Sequence, residues 1–113
     1  PRAALDPALL AALAALDDAA FRAAFSKSPI KRTGRGRFLR NVLIAIGNSA
    51  APTLIPTAQG LLEDASPLVR GMAVWALSRL LPRAEFAALR AARAGDEADL
   101  DVRAEWDPEP DNG

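Results

Sequence analysis

No cysteine and no histidine occur in the 113 residues of this chain. That inventory excludes a thiolate-held iron–sulfur cluster, an ordinary zinc site and any Ser-His or Cys-His catalytic pair within it. Tyrosine is missing as well, and the six aromatics are four phenylalanines and two tryptophans. Phe38 and Trp75 sit at helical core spacing, so base stacking by exposed rings is not expected of them. The single methionine is Met72, so the chain starts at Pro1 without an initiator and reads as a piece of something larger. No apolar run approaches the roughly 20 residues that cross a bilayer, and the N-terminus lacks the pattern of a secretory signal. The expectation is a soluble, cytoplasmic chain with no membrane partner. With half of its residues hydrophobic, it has material for one modest core and not for two.

The most local absence is that of acid. From Ala19 to Leu62 there is no carboxylate, while Arg22, Lys27, Lys31, Arg32, Arg35, Arg37 and Arg40 are all cationic. Six of these seven fall in the stretch Ser26 to Asn41, "SKSPIKRTGRGRFLRN". Residues 63 to 113 carry eleven acids against six bases, so a formal net charge of zero conceals two regions of opposite sign. A binding anion experiences the local field rather than the total, which makes the segregation the better guide to a partner.

Periodicity predicts an all-helical fold. "LDPALLAALAALDD" has Asp6 at the N-cap, Pro7 at the first helical position and leucines 9, 10, 13 and 16 on one face. A second helix from about Asp18 to Phe25 brings Phe21 and Phe25 to one side, with Asp17 or Asp18 at its start. "SKSPIKRTGRG" interrupts it, since Pro29, Gly34 and Gly36 are loop formers. Helical spacing resumes near Arg35: Phe38, Leu39, Val42, Leu43, Ala45 and Ile46 form an apolar face, and Arg37, Arg40, Asn41 and Asn48 share the opposite stripe, which Ile44 interrupts. Asn48 and Ser49 read as the end of that helix. "TLIPTAQGLLED" is a helix staggered by Pro56. "ASPLVRGMAVWALSRLLP" is capped by Ser66, opened by Pro67 and apolar nearly all round, as for a helix sandwiched between neighbours. "RAEFAALRAARAG" stops near Gly95, and a short helix ends near Trp106, which folds back as a cap.

Internal similarity sets how these helices assemble. Leu39-Arg40 recurs as Val69-Arg70 and Val102-Arg103, with Asp64 and Glu97 five residues before the second and third copies. Such a period marks stacked helix pairs. "PTLIPTAQGLLEDASPLVRGMAVWALSRLL" resembles a HEAT-like repeat, in which the Val-Arg arginine pairs with a turn acid; Arg70 and Arg103 are therefore read as structural. The expected fold is a HEAT-like α-α superhelix of about six to seven helices, one domain over residues 1–106, followed by a flexible acidic tail at 107–113.

The basic stretch reads as a phosphate-binding corner. Its cations run unmixed from a loop onto one helix face, glycines let backbone amides approach an anion, and Thr33 or Gly34 can start a helix whose positive end adds to the arginine forks. There is no G-x-x-x-x-G-K-[ST] motif and no dinucleotide fingerprint. Cations spread over a loop and a helix suit a polymer backbone better than a single nucleotide, because each neutralises a separate phosphate. Charge alone does not separate RNA from DNA.

"FSKSPIKRTGRGRFLRNVLIAIGNS", Phe25 to Ser49, resembles the segment after the iron–sulfur domain of epoxyqueuosine reductases, and "AVWALSRL" is similar to that family's C-terminal region. The resemblance implies an oxidoreductase of queuosine synthesis in tRNA, with a cobalamin and two [4Fe–4S] clusters in an upstream domain. It implies that this part is catalytically inert and holds the tRNA anticodon stem-loop for that domain. Carried over by position, Lys31, Arg32, Arg35, Arg37 and Arg40 are the expected phosphate contacts, with Ser28 and Asn41 as auxiliary donors or loop anchors. Arg40 also occupies the repeat position read as structural in Arg70. The competing readings are a protein-interaction scaffold, which could dock the catalytic domain of the same polypeptide, and a DNA-binding helical repeat of the alkylpurine-glycosylase type.

Overall fold

The computed structural model describes residues 6–107. Over that span the chain forms eight α-helices: α1 (Pro7–Ala14), α2 (Asp18–Ala24), α3 (Ile30–Thr33), α4 (Arg35–Asn48), α5 (Ile55–Gly60), α6 (Pro67–Leu80), α7 (Arg83–Arg93) and α8 (Leu100–Trp106). Single 3-10 turns at Pro52–Leu54 and Leu61–Glu63 extend α5 at both ends, and a third follows α7 at Ala94–Asp96. The acidic tail expected at 107–113 lies, from Pro108 onward, outside the described residues.

Capping chemistry sets most of the starts. The Ala8 amide donates to Asp6 Oδ1 at 3.0 Å, the Ala20 amide to Asp17 Oδ1 at 2.8 Å, and the Val102 amide to Asp99 Oδ1 at 3.1 Å. Each bond satisfies one of the amides that a helix leaves without an internal partner. Ser66 caps α6 through the Val69 amide, and Pro67 takes the first position, where no N–H is needed. Ser49 closes α4: its hydroxyl donates to the Ile46 carbonyl at 2.6 Å and accepts from the Ala51 amide at 3.1 Å.

α4, α6 and α8 lie side by side in that order, with α1 over α4, the α5 segment over α6, and α7 against α6. The shortest extent of the molecule is 25 Å, about two helix diameters, which is the thickness of a two-layer stack. Leu39, Leu43 and Ile46 of α4 and Val69, Val74 and Leu77 of α6 are fully enclosed, and Val102 and Trp106 of α8 nearly so. Burying each such leucine contributes about 1.5–3 kcal/mol. Trp106 stacks on Phe86 at 5.5 Å between ring centres, closing α8 against α7 as the sequence suggests.

α4 and α6 run parallel, since Gly36 meets Leu68 near their starts and Gly47 meets Trp75 near their ends. At Gly47 the approach is so close that an added Cβ would collide with the Trp75 ring. Trp75 itself is half-buried, seated on the core rather than inside it. Two other expectations change. Leu9, placed on the buried face of α1, is 45% exposed because the helix turns only Leu10 and Ala14 fully inward. The interruption after α2 contains a helical turn of its own, α3, ended by Gly34 at φ +85°, a left-handed conformation that favours glycine.

Candidate nucleic-acid interface

The basic stretch is folded into two connected surfaces. The first is the turn from α2 into α3. Phe21, Phe25 and Phe38 form a triangle of rings with centres 5.1–5.2 Å apart, which fastens the end of α2 to α4. From that anchor the chain makes successive tight turns: the Ser28 amide donates to the Phe25 carbonyl at 2.9 Å, Lys31 to Ser28 at 3.1 Å, and Arg32 to Pro29 at 3.0 Å. Ser26, Lys27, Ser28, Lys31 and Arg32 thereby surround one shallow concavity together with Pro29. Ser28 is half-buried, and its Oγ accepts from the Ile30 amide at 3.1 Å.

The second surface is the outer stripe of α4. Arg37, Arg40, Asn41 and Asn48 are all exposed, and Ile44 beside them is half-covered, in line with the 3.6-residue period. Arg40 Nη1 donates to Asn41 Oδ1 at 3.3 Å, so Asn41 orients its neighbouring arginine. Lys31, Arg32, Arg37 and Arg40 are exposed, and none of them pairs with a carboxylate among the described residues.

Arg35 is placed differently, and its expected role as a phosphate contact is revised. Its Nη2 donates to Asp64 Oδ1 at 2.7 Å, Nη1 to Asp64 Oδ2 at 3.3 Å, and Nε to the Leu16 carbonyl at 2.7 Å. Each of the three guanidinium nitrogens thus donates within the stack, with side-chain exposures of 19% for Arg35 and 9% for Asp64. Burial pushes the Asp64 carboxyl up, yet the Arg35 hydrogen bonds and the Ser66 amide together hold it below the usual carboxylate value.

Arg70 repeats the arrangement one hairpin later. Its Nε and Nη2 donate to the two oxygens of Glu97 at 3.0 and 2.9 Å, and Nη1 donates to the Asp64 and Ala65 carbonyls. The Arg70 hydrogen bond keeps the Glu97 carboxyl below its ordinary value despite burial. In both pairs the carboxylate also receives an amide two residues on, Ser66 for Asp64 and Asp99 for Glu97. Arg70 is structural, as the sequence suggests, but its acid comes from the following turn. The equivalent arginine of α4 is Arg35, and Arg40 is free of that duty. Arg103 is exposed and makes no ion pair among the described residues.

Sequence reasoning missed Ser26 and Lys27 as members of the turn concavity, and it missed the engagement of Arg35. The second was signalled by spacing: Arg35 precedes Asp64 by 29 residues and Arg70 precedes Glu97 by 27. Among the described residues no group of three or more acids, histidines or cysteines is placed to hold a metal. A chain without cysteine has no thiolates for an iron–sulfur cluster, so the clusters that the resemblance implies do not fit here. No helix among the described residues is long and apolar enough to cross a membrane.

Comparison with known proteins places this geometry in context. A family described as HEAT repeats matches residues 32–106. Among curated proteins, the epoxyqueuosine reductase of Alicycliphilus denitrificans is 38% identical over 86 residues, covering 69% of this chain and 24% of the relative. That of Xanthomonas campestris is 37% identical over 76 residues, 66% of this chain and 21% of the relative. The Pseudomonas aeruginosa protein of the same name is 39% identical over 82 residues, 70% and 22%. The chain therefore spans less than a quarter of the length of these curated relatives, matching their C-terminal part. No solved structure matches it significantly.

Proposed function

The chain belongs to the HEAT-repeat family, and from that premise we propose that it is the tRNA-binding C-terminal module of an epoxyqueuosine reductase. In this reading the helices from Pro7 to Trp106 act as one rigid support that holds an anticodon stem-loop. A catalytic domain of the same polypeptide, carrying the cobalamin and two [4Fe–4S] clusters, performs the reduction of epoxyqueuosine to queuosine in the cytoplasm.

The observation that carries the proposal is the set of exposed cations Lys31, Arg32, Arg37 and Arg40, unpaired with any described carboxylate and set in a stretch that has no acid from Ala19 to Leu62. Cations left free in this way attract phosphates and contribute affinity and orientation rather than base identity. Ser28 and Asn41 act as supports, one ordering the turn and the other aiming Arg40. Base recognition falls to the catalytic domain.

Binding of an anticodon stem-loop across a salt series tests this. Four contacts to loop phosphates at about 0.7 each give a slope of log affinity against log salt near −3. Lys31→Ala with Arg37→Ala is expected to flatten that slope by about 1.4. Absence of binding at low salt by the full-length enzyme, or identical binding by the double variant, overturns the reading in favour of a protein-interaction scaffold.

A further inference from the structure

We propose that the α2–α3 turn is a discrete seat for one phosphate group, built by Lys27, Lys31 and Arg32 with the hydroxyls of Ser26 and Ser28. The inference deepens the RNA-binding reading and rests on it for the source of the phosphate. It differs in singling out one concave site from a broadly basic face and in adding Ser26 and Lys27.

Three features converge. The turn is concave, and its lining of Ser26, Lys27, Ser28, Pro29, Lys31 and Arg32 contains three cations and no acid. Its shape is held by the consecutive backbone bonds at Ser28, Lys31 and Arg32 and by the phenylalanine triangle beneath, so the cations are presented by an ordered loop. Ser28 Oγ accepts from the Ile30 amide, a bond that leaves its hydroxyl proton still available to donate. The acid closest in sequence, Asp18, lies on α2 and pairs with Arg22 at 3.3 Å.

This donor set selects chemistry. Two hydroxyls, two ammonium groups and one planar guanidinium offer donors from several directions, which suits the tetrahedral oxygens of a phosphate better than the flat face of a carboxylate. The outer stripe of α4, with Arg37 and Arg40 on a convex helix, contacts neighbouring phosphates but cannot enclose one. A backbone phosphate in the turn would fix the register of the strand, and the α4 arginines would then follow it.

Amide NMR of this chain titrated with inorganic phosphate reads the seat directly. Shifts confined to residues 26–32 are expected; shifts spread over all surface arginines, including Arg83 and Arg103, or no shifts, overturn it. Lys27→Ala with Lys31→Ala and Arg32→Ala should abolish those shifts and, because the three cations share one phosphate, flatten the RNA salt slope by about 0.7. Arg37→Ala with Arg40→Ala should keep the phosphate shifts and flatten the slope by about 1.4. Unchanged circular dichroism in both variants shows that neither effect is unfolding. A glutamate-rich peptide that shifts residues 26–32 as strongly as RNA of equal charge overturns the phosphate assignment. Phosphate shifts in the turn without RNA binding by the full-length enzyme refute the RNA reading and leave the seat standing. RNA binding that survives Lys27→Ala unchanged, with no phosphate shifts, refutes the seat alone.

Discussion

Arginine is used in two opposite ways at the two ends of this molecule. In the C-terminal half Arg70 is clasped by Glu97, Arg90 by Asp107 and Arg93 by Glu63, while Arg79, Arg83 and Arg103 are scattered without an ion pair among the described residues. In the N-terminal half Lys31, Arg32, Arg37 and Arg40 face outward without a described acid, and only Arg35 is drawn inside. The difference is not one of residue type. It is set by whether a carboxylate lies within reach in the fold: Arg35 and Arg70 meet the turn acids Asp64 and Glu97, Arg90 and Arg93 meet Asp107 and Glu63, and the outer stripe of α4 meets none among the described residues. Charges that the stack uses for its own cohesion are unavailable to a partner, and those it leaves over on α3 and α4 form the surface proposed above to bind RNA.

The first way to stress that comparison is to cut the seam that joins the halves. Trp75 lies on Gly47 where α6 runs along α4, and Trp75→Ala is expected to cost about 3 kcal/mol, measured as a loss of melting temperature in thermal unfolding. A melting curve unchanged by this substitution would show that the two halves do not depend on their shared packing.

A smaller effect separates the two kinds of arginine. Arg35→Ala and Arg70→Ala each strand a mostly buried carboxylate, so each should lose about 2 kcal/mol of stability in urea unfolding. Arg37→Ala and Arg40→Ala break no ion pair among the described residues and should fall within about 0.5 kcal/mol of the parent while weakening RNA binding. Arg35→Ala weakening RNA binding without altering stability would reverse the division drawn here.

The smallest effect is a dependence on pH. Asp64 and Glu97 are held below their ordinary values of 3.8 and 4.5 in the folded chain. A carboxyl depressed by folding stabilises fully above its unfolded value and loses that contribution as the pH falls through the folded one. The melting temperature should therefore be insensitive to these pairs from neutrality down to about pH 5 and fall progressively below about pH 4. Arg35→Ala with Arg70→Ala should remove most of that acid sensitivity.

Much of this was legible in the residues themselves. Asp6-Pro7, Asp17 and Ser66-Pro67 announce helix starts through local bonding, and the period of α4 placed Arg37, Arg40 and Asn41 on the outside. HEAT-like stacking followed from the recurring hydrophobic-arginine pairs, and the matched family agrees. What local reasoning could not supply were contacts made at long sequence separation. Arg35 stands in the same basic run as Arg37, yet a bond to Asp64 and another to the Leu16 carbonyl decide its fate. The repeat alignment matched Arg40, not Arg35, with Arg70, because α4 presents the paired arginine from its first position and α6 from its fourth. Lys27 escaped notice because it joins Lys31 and Arg32 only after the chain has folded through the turn that α3 completes. Trp75 looked like core by spacing, but the close pass of Gly47 holds its ring at the margin.

The clasp between Arg35 and Asp64 has a mechanical corollary. It rivets the first residue of the cation-bearing helix to the corner from which the next hairpin departs, while its Nε bond reaches back to the α1–α2 corner. Three corners, α1–α2, α3–α4 and α5–α6, are thereby pinned at one point, which ties the start of α4 to its neighbours. A strand pulling on Arg37 and Arg40 would load the whole scaffold as a lever instead of tilting one rod within it.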